Sequence, residues 1–250
     1  MLYLWAWEVF LLVNYLGEGE KIINYLLKLT FICMFSSLIF PNSKNIYNYK
    51  IKFYGLNVAN CKVIYSDTSI SNVSARKIEY KVETNSFINN FFKVDNHYTI
   101  ILDKNNYSTL YYKKNTSQPK ITNHVETDFS NNILTYKNSD ITVNNDSKNI
   151  FSILYMIHIG DIESLNSIKI IEREGKYYNF SYLLDTNKVI IELDELDSNN
   201  KGLIQHTDIF SWGLFLNDTK KTIIYNNKEN YIEKCIFKKG VTLISAKITK

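Results

Sequence analysis

The chain has 250 residues, 45% of them hydrophobic and 22% charged, with a formal net charge of +4. That balance excludes wholesale disorder, and eight Gly with two Pro exclude collagen-like and Pro-rich fibrous classes and leave few loops to cradle phosphates. Lys and Asp/Glu are interspersed, so the surplus of +4 is no electrostatic footprint for nucleic acid, and no nucleic-acid partner is expected.

Residues 1–40 differ from the rest. The first sixteen are apolar but broken by Glu8 and Asn14, and 17–20 form a polar break. Lys21 and Lys28 then precede Leu29–Phe40, an uncharged run of 12 that ends at Pro41-Asn42-Ser43. A bilayer-spanning helix needs about 20 apolar residues. A shorter run behind two lysines fits the apolar core of a secretory signal. Signals begin near the first residue, so translation is expected to start near Lys21, with residues 1–20 outside the natural protein. The alternative is a retained anchor, in which 1–43 holds the chain to a membrane. Either way the body is 44–250, a single exported domain whose expected place is the periplasm. Loss of two lysines and three glutamates with residues 1–43 takes its charge from +4 to +5. Two cysteines remain in it, Cys61 and Cys235, an even count that permits a disulfide in an exported chain if their strands are neighbours.

In the body, Tyr47, Tyr49, Ile51 and Phe53 alternate with polar residues and predict a half-buried strand over 46–54. Gly55-Leu56-Asn57 is a turn and 58–66 runs back. Residues 77–83 alternate most regularly, with Ile78, Tyr80 and Val82 on one face and four charges on the other. A short helix or loop over 86–92 carries Phe87, Phe91 and Phe92. Strands are expected at 96–103, 107–114, 120–129 and 133–137, separated by Asn/Ser/Asp-rich turns. Ile150, Phe151, Leu154, Ile157 and His158 recur at steps of three and four, and Gly160 stands where a helix stop belongs. This predicts one helix over 147–159, capped by Asp146-Ser147 and apolar enough to be buried against a sheet. Strands at 167–172, 176–184 and 188–196 follow, the first two joined at Arg173-Glu174-Gly175. A longer strand-like stretch covers 203–215, and 220–225, 231–238 and 241–248 finish the chain.

About a dozen strands and one helix must then share a core. Twist accumulates across a sheet that size, and open edges attract partners. The fold class is therefore mainly β, a single strongly curved antiparallel sheet or incomplete β-barrel with one covering helix near 147–159. The outward Lys and Glu argue against an outer-membrane barrel, whose outer face must be apolar.

Four stretches resemble the family known as domain of unknown function 3108. They are Tyr49–Leu56 (YKIKFYGL), Phe92–Leu110 with Val94-Asp95, Tyr98 and Asp103, Asn149–Tyr155 (NIFSILY), and Ile168–Tyr178 with Glu172-Arg173-Glu174-Gly175-Lys176. The resemblance covers most of 46–248 and departs from the family at Ala59-Asn60-Cys61, where a second glycine often follows the opening turn. It implies a bacterial envelope protein with a signal peptide and a curved β body, similar in shape to periplasmic lipoprotein carriers. It implies no known activity.

No catalytic motif stands out. His97, His124, His158 and His206 share no ligand spacing, so no metal and no cofactor is expected. His206, Asp208 and Ser211 have the residue types of a hydrolase triad, but in a strand Ser211 would face away from the other two, and no nucleophile elbow supports them. Glu172 and Glu174 could serve as paired carboxylates, though surface charge on a hairpin rim is the plainer reading. Asp194, Glu195 and Asp197 lack calcium-loop spacing. The aromatics remain. Tyr178, Phe180 and Tyr182 on one hairpin, with Phe210 and Trp212 further on, are either ordinary core or the lining of an apolar concavity for a lipid or other hydrophobic small molecule. The expectation is a non-catalytic ligand-binding protein; the alternatives are a domain that docks other envelope proteins through a sheet edge, or a hydrolase.

Overall fold

The computed structural model describes residues 44–131, 133–144, 146–196, 202–203, 213–215 and 218–249. All described residues belong to one compact unit, Ser43–Lys250. Its strands are β1 (Asn45–Phe53), β2 (Leu56–Ile70), β3 (Val73–Thr84), β4 (Asp95–Asp103), β5 (Thr109–Gln118), β6 (Ile121–Ser130), β7 (Ile133–Tyr136), β8 (Thr142–Val143), β9 (Ile170–Arg173), β10 (Lys176–Asp185), β11 (Lys188–Glu195), β12 (Lys220–Asn226), β13 (Tyr231–Lys239) and β14 (Thr242–Thr249). Among the described residues two helices accompany them, α1 (Ser86–Asn89) and α2 (Ile150–Ile159), with a 3-10 turn at Glu163–Ser167 and a helical turn at 213–215. Among the described residues no helix is long and apolar enough to cross a membrane.

All fourteen strands form one sheet in the order β8-β7-β6-β5-β4-β3-β2-β1-β14-β13-β12-β11-β10-β9. Two antiparallel meanders, β1–β8 and β9–β14, are joined where the first strand pairs the last, with Tyr49 opposite Ile248 and Phe53 opposite Ile244. The sheet curls into a nearly closed barrel whose free edges are β8 and β9. Alternation sets the curl. Ile78, Tyr80 and Val82 of β3 are buried on the concave side together with Tyr98, Ile100 and Leu102, while Lys77, Glu79 and Lys81 face out and pair along the surface.

Helix α2 lies within the concavity, and every residue from Ile150 to His158 is buried. Phe151 packs on Tyr80, Tyr98 and Tyr112, and Tyr155 on Tyr65 and Tyr107. A helix that is apolar all round is stable only when surrounded, and here the sheet surrounds it. Its cap is Asn149, two residues beyond the expected Asp146-Ser147. The Asn149 side chain accepts from the N–H groups of Phe151 and Ser152, and Ser152 Oγ accepts from Asn149 N–H, a capping box. Residues 147–149 are withheld from the helix because their backbone crosses the barrel seam. Thr109 N–H of β5 donates to Ser147 O at 3.1 Å, Glu172 N–H of β9 donates to Lys148 O at 2.8 Å, and Lys148 bridges Ile171 in parallel. Gly160 ends the helix at φ 78, as its position predicts.

Of the strand-like stretch expected over 203–215, residues 213–215 form a helical turn and most of the rest lies outside the described residues. The strand expected from Ser167 begins at Ile170, because the 3-10 turn occupies 163–167.

Candidate functional site

The half of the barrel that α2 leaves unfilled holds a cavity of about 580 Å³. Its walls come mainly from the inward rows of five strands, Tyr49 and Ile51 of β1, Ala59, Cys61 and Val63 of β2, Val82 of β3, Cys235 and Phe237 of β13, and Ile244 and Ala246 of β14, with Gln118 of β5 and Ile121 of β6 adding to them. Leu154 of α2 forms one side, and Ile88 and Phe92 reach in from the α1 loop. Room is left where some of these inward positions carry small side chains, Ala59, Cys61, Cys235 and Ala246. Ala59, Ile51, Ala246 and Cys235 stand side by side across β2, β1, β14 and β13, whereas Tyr98, Tyr112 and Phe151 fill the other half.

Among the described residues the lining is uncharged, and its few polar atoms are largely engaged. Tyr49 Oη donates to Ile232 O at 2.9 Å, and burial raises its pKa far above that of a free phenol. Burial likewise pushes the Cys61 thiol well above its ordinary range and that of Cys235 up to about 12. Both stay protonated, which makes them poor nucleophiles and poor metal ligands. Both are free thiols. The disulfide considered between them does not form: β2 and β13 are separated in the sheet by β1 and β14 and do not pair.

Tyr178 and Phe180, expected to line such a concavity, are buried on β10. Tyr178 packs on Phe215 and Phe180 stacks on Tyr182, whose hydroxyl donates to Asn166 Oδ1 at 2.9 Å. The three share one strand but are absent from the lining of the large cavity. Phe210 and Trp212 lie outside the described residues, as do His206, Asp208, Ser211 and Asp197.

Glu172 and Glu174 are not rim charge, for both are buried. The β9–β10 turn, with Glu174 at φ 50 and Gly175 at φ 87, tucks against β5 and β7. Lys114 Nζ donates to both Glu174 oxygens at 2.6 and 2.8 Å, and Tyr112 Oη donates to Oε1 at 2.9 Å. Tyr136 Oη donates to Glu172 Oε1 at 2.8 Å and accepts from Glu174 N–H at 3.0 Å, and Gly175 N–H donates to the same Glu172 oxygen at 2.6 Å. Arg173 lies over the Phe215 ring, 4.2 Å from its centroid. Burial raises the Glu172 carboxyl to about 7. A raised carboxyl beside a second one suits acid/base chemistry, yet the void among these groups is about 20 Å³, room for about one water and none for a sugar ring.

The histidines scatter. His158 stacks on Tyr65 and its Nδ1 accepts from Ile232 N–H at 3.3 Å; burial, with Arg76 nearby, lowers it to about 4. His97, Asp95 and Glu83 bring ligating atoms within 4.8 Å of one another on the surface of β3 and β4. That proximity follows from the pairing of Glu83 with Asp95, which single-strand reading could not supply. His97 already pairs with Asp95 and Lys81 with Glu83.

No family model matches the chain, and no curated protein does. Among solved structures the chain is similar to a β-barrel-like protein of domain of unknown function 1849 from Brucella abortus, at 9% identity. That match covers 83% of this chain and 95% of the other with a TM-score of 0.41. The barrel-like fold rests on the chain's own sheet, and the resemblance to domain of unknown function 3108 in particular has no support from these matches.

Proposed function

We propose that this chain is an exported, non-catalytic protein of the bacterial envelope that holds the apolar part of a lipid or other hydrophobic small molecule inside its barrel. The cavity carries the reading. About 580 Å³ lined by carbon-rich side chains falls within the range of small-molecule sites, and each methylene buried there contributes about 0.8 kcal/mol. The buried charges lie away from this lining: Lys114 and Glu174 are bound to each other, Glu172 accepts from Tyr136, and Arg173 and Lys221 are likewise absent from it. Export rests on the apolar segment at 29–40.

The test is extraction. Full-length protein purified from the envelope fraction is dissolved in organic solvent and its lipids identified by mass spectrometry, and delipidated protein is titrated with a fluorescent fatty acid. Co-purifying lipid and saturable uptake at one site per chain are expected. Delipidated protein that takes up no apolar probe would overturn the reading.

A further inference from the structure

The cavity lining reaches solvent at one end of the barrel, where Phe53 and Phe92 are both lining and exposed. Three chain segments meet there. The β1–β2 turn joins the β13–β14 turn through Tyr54 N–H to Leu243 O at 3.1 Å. The α1 loop joins the start of β2 through Asn85 N–H to Val58 O at 3.1 Å and Asn85 Nδ2 to Asn57 O at 2.6 Å. All three project large apolar side chains into water: Leu56 is 73% exposed, Phe87 70%, Phe91 77% and Val241 86%. Tyr54 and Leu243 extend the patch. Single exposed apolar residues are ordinary, but a contiguous group marks an interaction surface.

Charge identifies what it meets. Lys52, Lys93, Lys120 and Lys238 stand exposed on the same segments and on the β5–β6 turn beside them, and none makes an ion pair among the described residues. The nearby acids are engaged, Glu83 with Lys81 and Asp95 with His97. A second copy docked face to face would oppose lysine to lysine. Phenylalanine and leucine beside lysines that make no ion pair among the described residues match the boundary of an anionic bilayer, where apolar groups enter the acyl region and ammonium groups meet phosphates.

From this we infer that the rim of the barrel mouth docks on anionic phospholipid membranes and sets the cavity opening against the lipid surface. The inference rests on the lipid-binding reading, because it supplies the route by which a lipid enters.

Hydrogen exchange on the full chain tests it locally, so that attachment through residues 1–43 does not interfere. With vesicles of phosphatidylglycerol and phosphatidylethanolamine, amides in 54–57, 86–93 and 240–243 should slow, and with phosphatidylcholine alone they should change little. Lys52→Gln with Lys93→Gln should raise the vesicle concentration needed for half-protection by roughly fivefold per lysine. Phe87→Ser with Phe91→Ser and Val241→Ser should abolish the protection while leaving fatty-acid uptake from detergent solution unchanged. These positions are outward, so folding should be unaffected, as an unchanged thermal midpoint would verify. Rim amides that exchange equally fast with and without anionic vesicles overturn the inference. So does slowing that grows with protein concentration in the absence of lipid, which would assign the rim to self-association. Loss of fatty-acid uptake by the wild type overturns the cavity reading instead, so the two failures are distinguishable.

Discussion

Lys114 on β5 and Glu174 in the β9–β10 turn, 60 residues apart in sequence, meet at 2.6 Å inside the protein, both almost wholly shielded from solvent. The contact joins the two meanders on the side where no strand pairing joins them, so it acts as a clasp across the seam. A buried ion pair is weak evidence for stability in itself, but removing one partner strands the other charge. Lys114→Met should therefore cost about 3–5 kcal/mol. The double change Lys114→Met with Glu174→Gln should recover much of that, since Gln keeps an acceptor for Tyr112. Urea melts of the wild type, both single variants and the double variant give the coupling directly. Additive losses would show that the two residues do not act as a unit.

The same seam should make stability depend on pH in a way that is hidden in the wild type. Burial raises Glu172 to about 7, so between 4.5 and 7 the native state keeps a proton that the unfolded chain has released. Stability falls as pH rises through that window, by about 3 kcal/mol in all. His158 works the other way. Its folded value near 4 lies below the unfolded 6.5, so its contribution is complete above 6.5 and is lost as pH falls toward 4. The two slopes oppose each other between 4.5 and 6.5. Glu172→Gln removes one of them, and its thermal midpoint should climb from pH 4 to 6.5 and then level off, while the wild type stays comparatively flat. Parallel profiles for the two proteins would refute this account.

Local pattern carried most of the fold. The regular alternation of 77–83 places Ile78, Tyr80 and Val82 inward as expected, and the Asn/Ser/Asp clusters mark the turns. What depended on distant partners was not legible. Glu172 and Glu174 read as surface charge because a glutamate beside a Glu-Gly turn ordinarily faces water; their partners Tyr136, Tyr112 and Lys114 lie 36 to 62 residues upstream. The helix cap slipped from Asp146-Ser147 to Asn149 because the intervening backbone crosses to β5 and β9. The cavity was sought among the aromatics Tyr178, Phe180 and Tyr182, yet space arises where inward residues are small. A faint signal existed in Ala59-x-Cys61-x-Val63, but only the pairing of β1 with β14 shows that Ala246 and Cys235 face the same void.

Two polar side chains on the inward face lack partners and should be replaceable. Asn96 of β4 and Thr116 of β5 sit opposite each other, both buried, and neither the Asn96 amide nor Thr116 Oγ1 has a hydrogen-bond partner among the described residues. An unpaired buried hydroxyl costs about 1–3 kcal/mol. Thr116→Val preserves shape and removes that cost, so it should stabilise the protein by about 1 kcal/mol or more, measured as a shift of the urea midpoint at constant slope. A destabilised Thr116→Val would mean that the hydroxyl is satisfied in solution.

Filling the cavity should separate stability from binding. Ala246 of β14 pairs with Ile51 on one side and Cys235 on the other, and all three line the void. A phenylalanine there points into empty space that already has apolar walls, so it need not displace packed neighbours as overpacking of a filled core does. Ala246→Phe should therefore hold or raise stability, by up to about 2 kcal/mol as cavity-filling changes commonly do, while lowering fatty-acid uptake sharply. If uptake persists at wild-type affinity in a folded Ala246→Phe protein, the ligand sits elsewhere. If the variant unfolds, Ala59→Leu, two strands away in the same row beyond Ile51, gives a smaller obstruction and the same readout, with a graded loss expected in proportion to the volume removed.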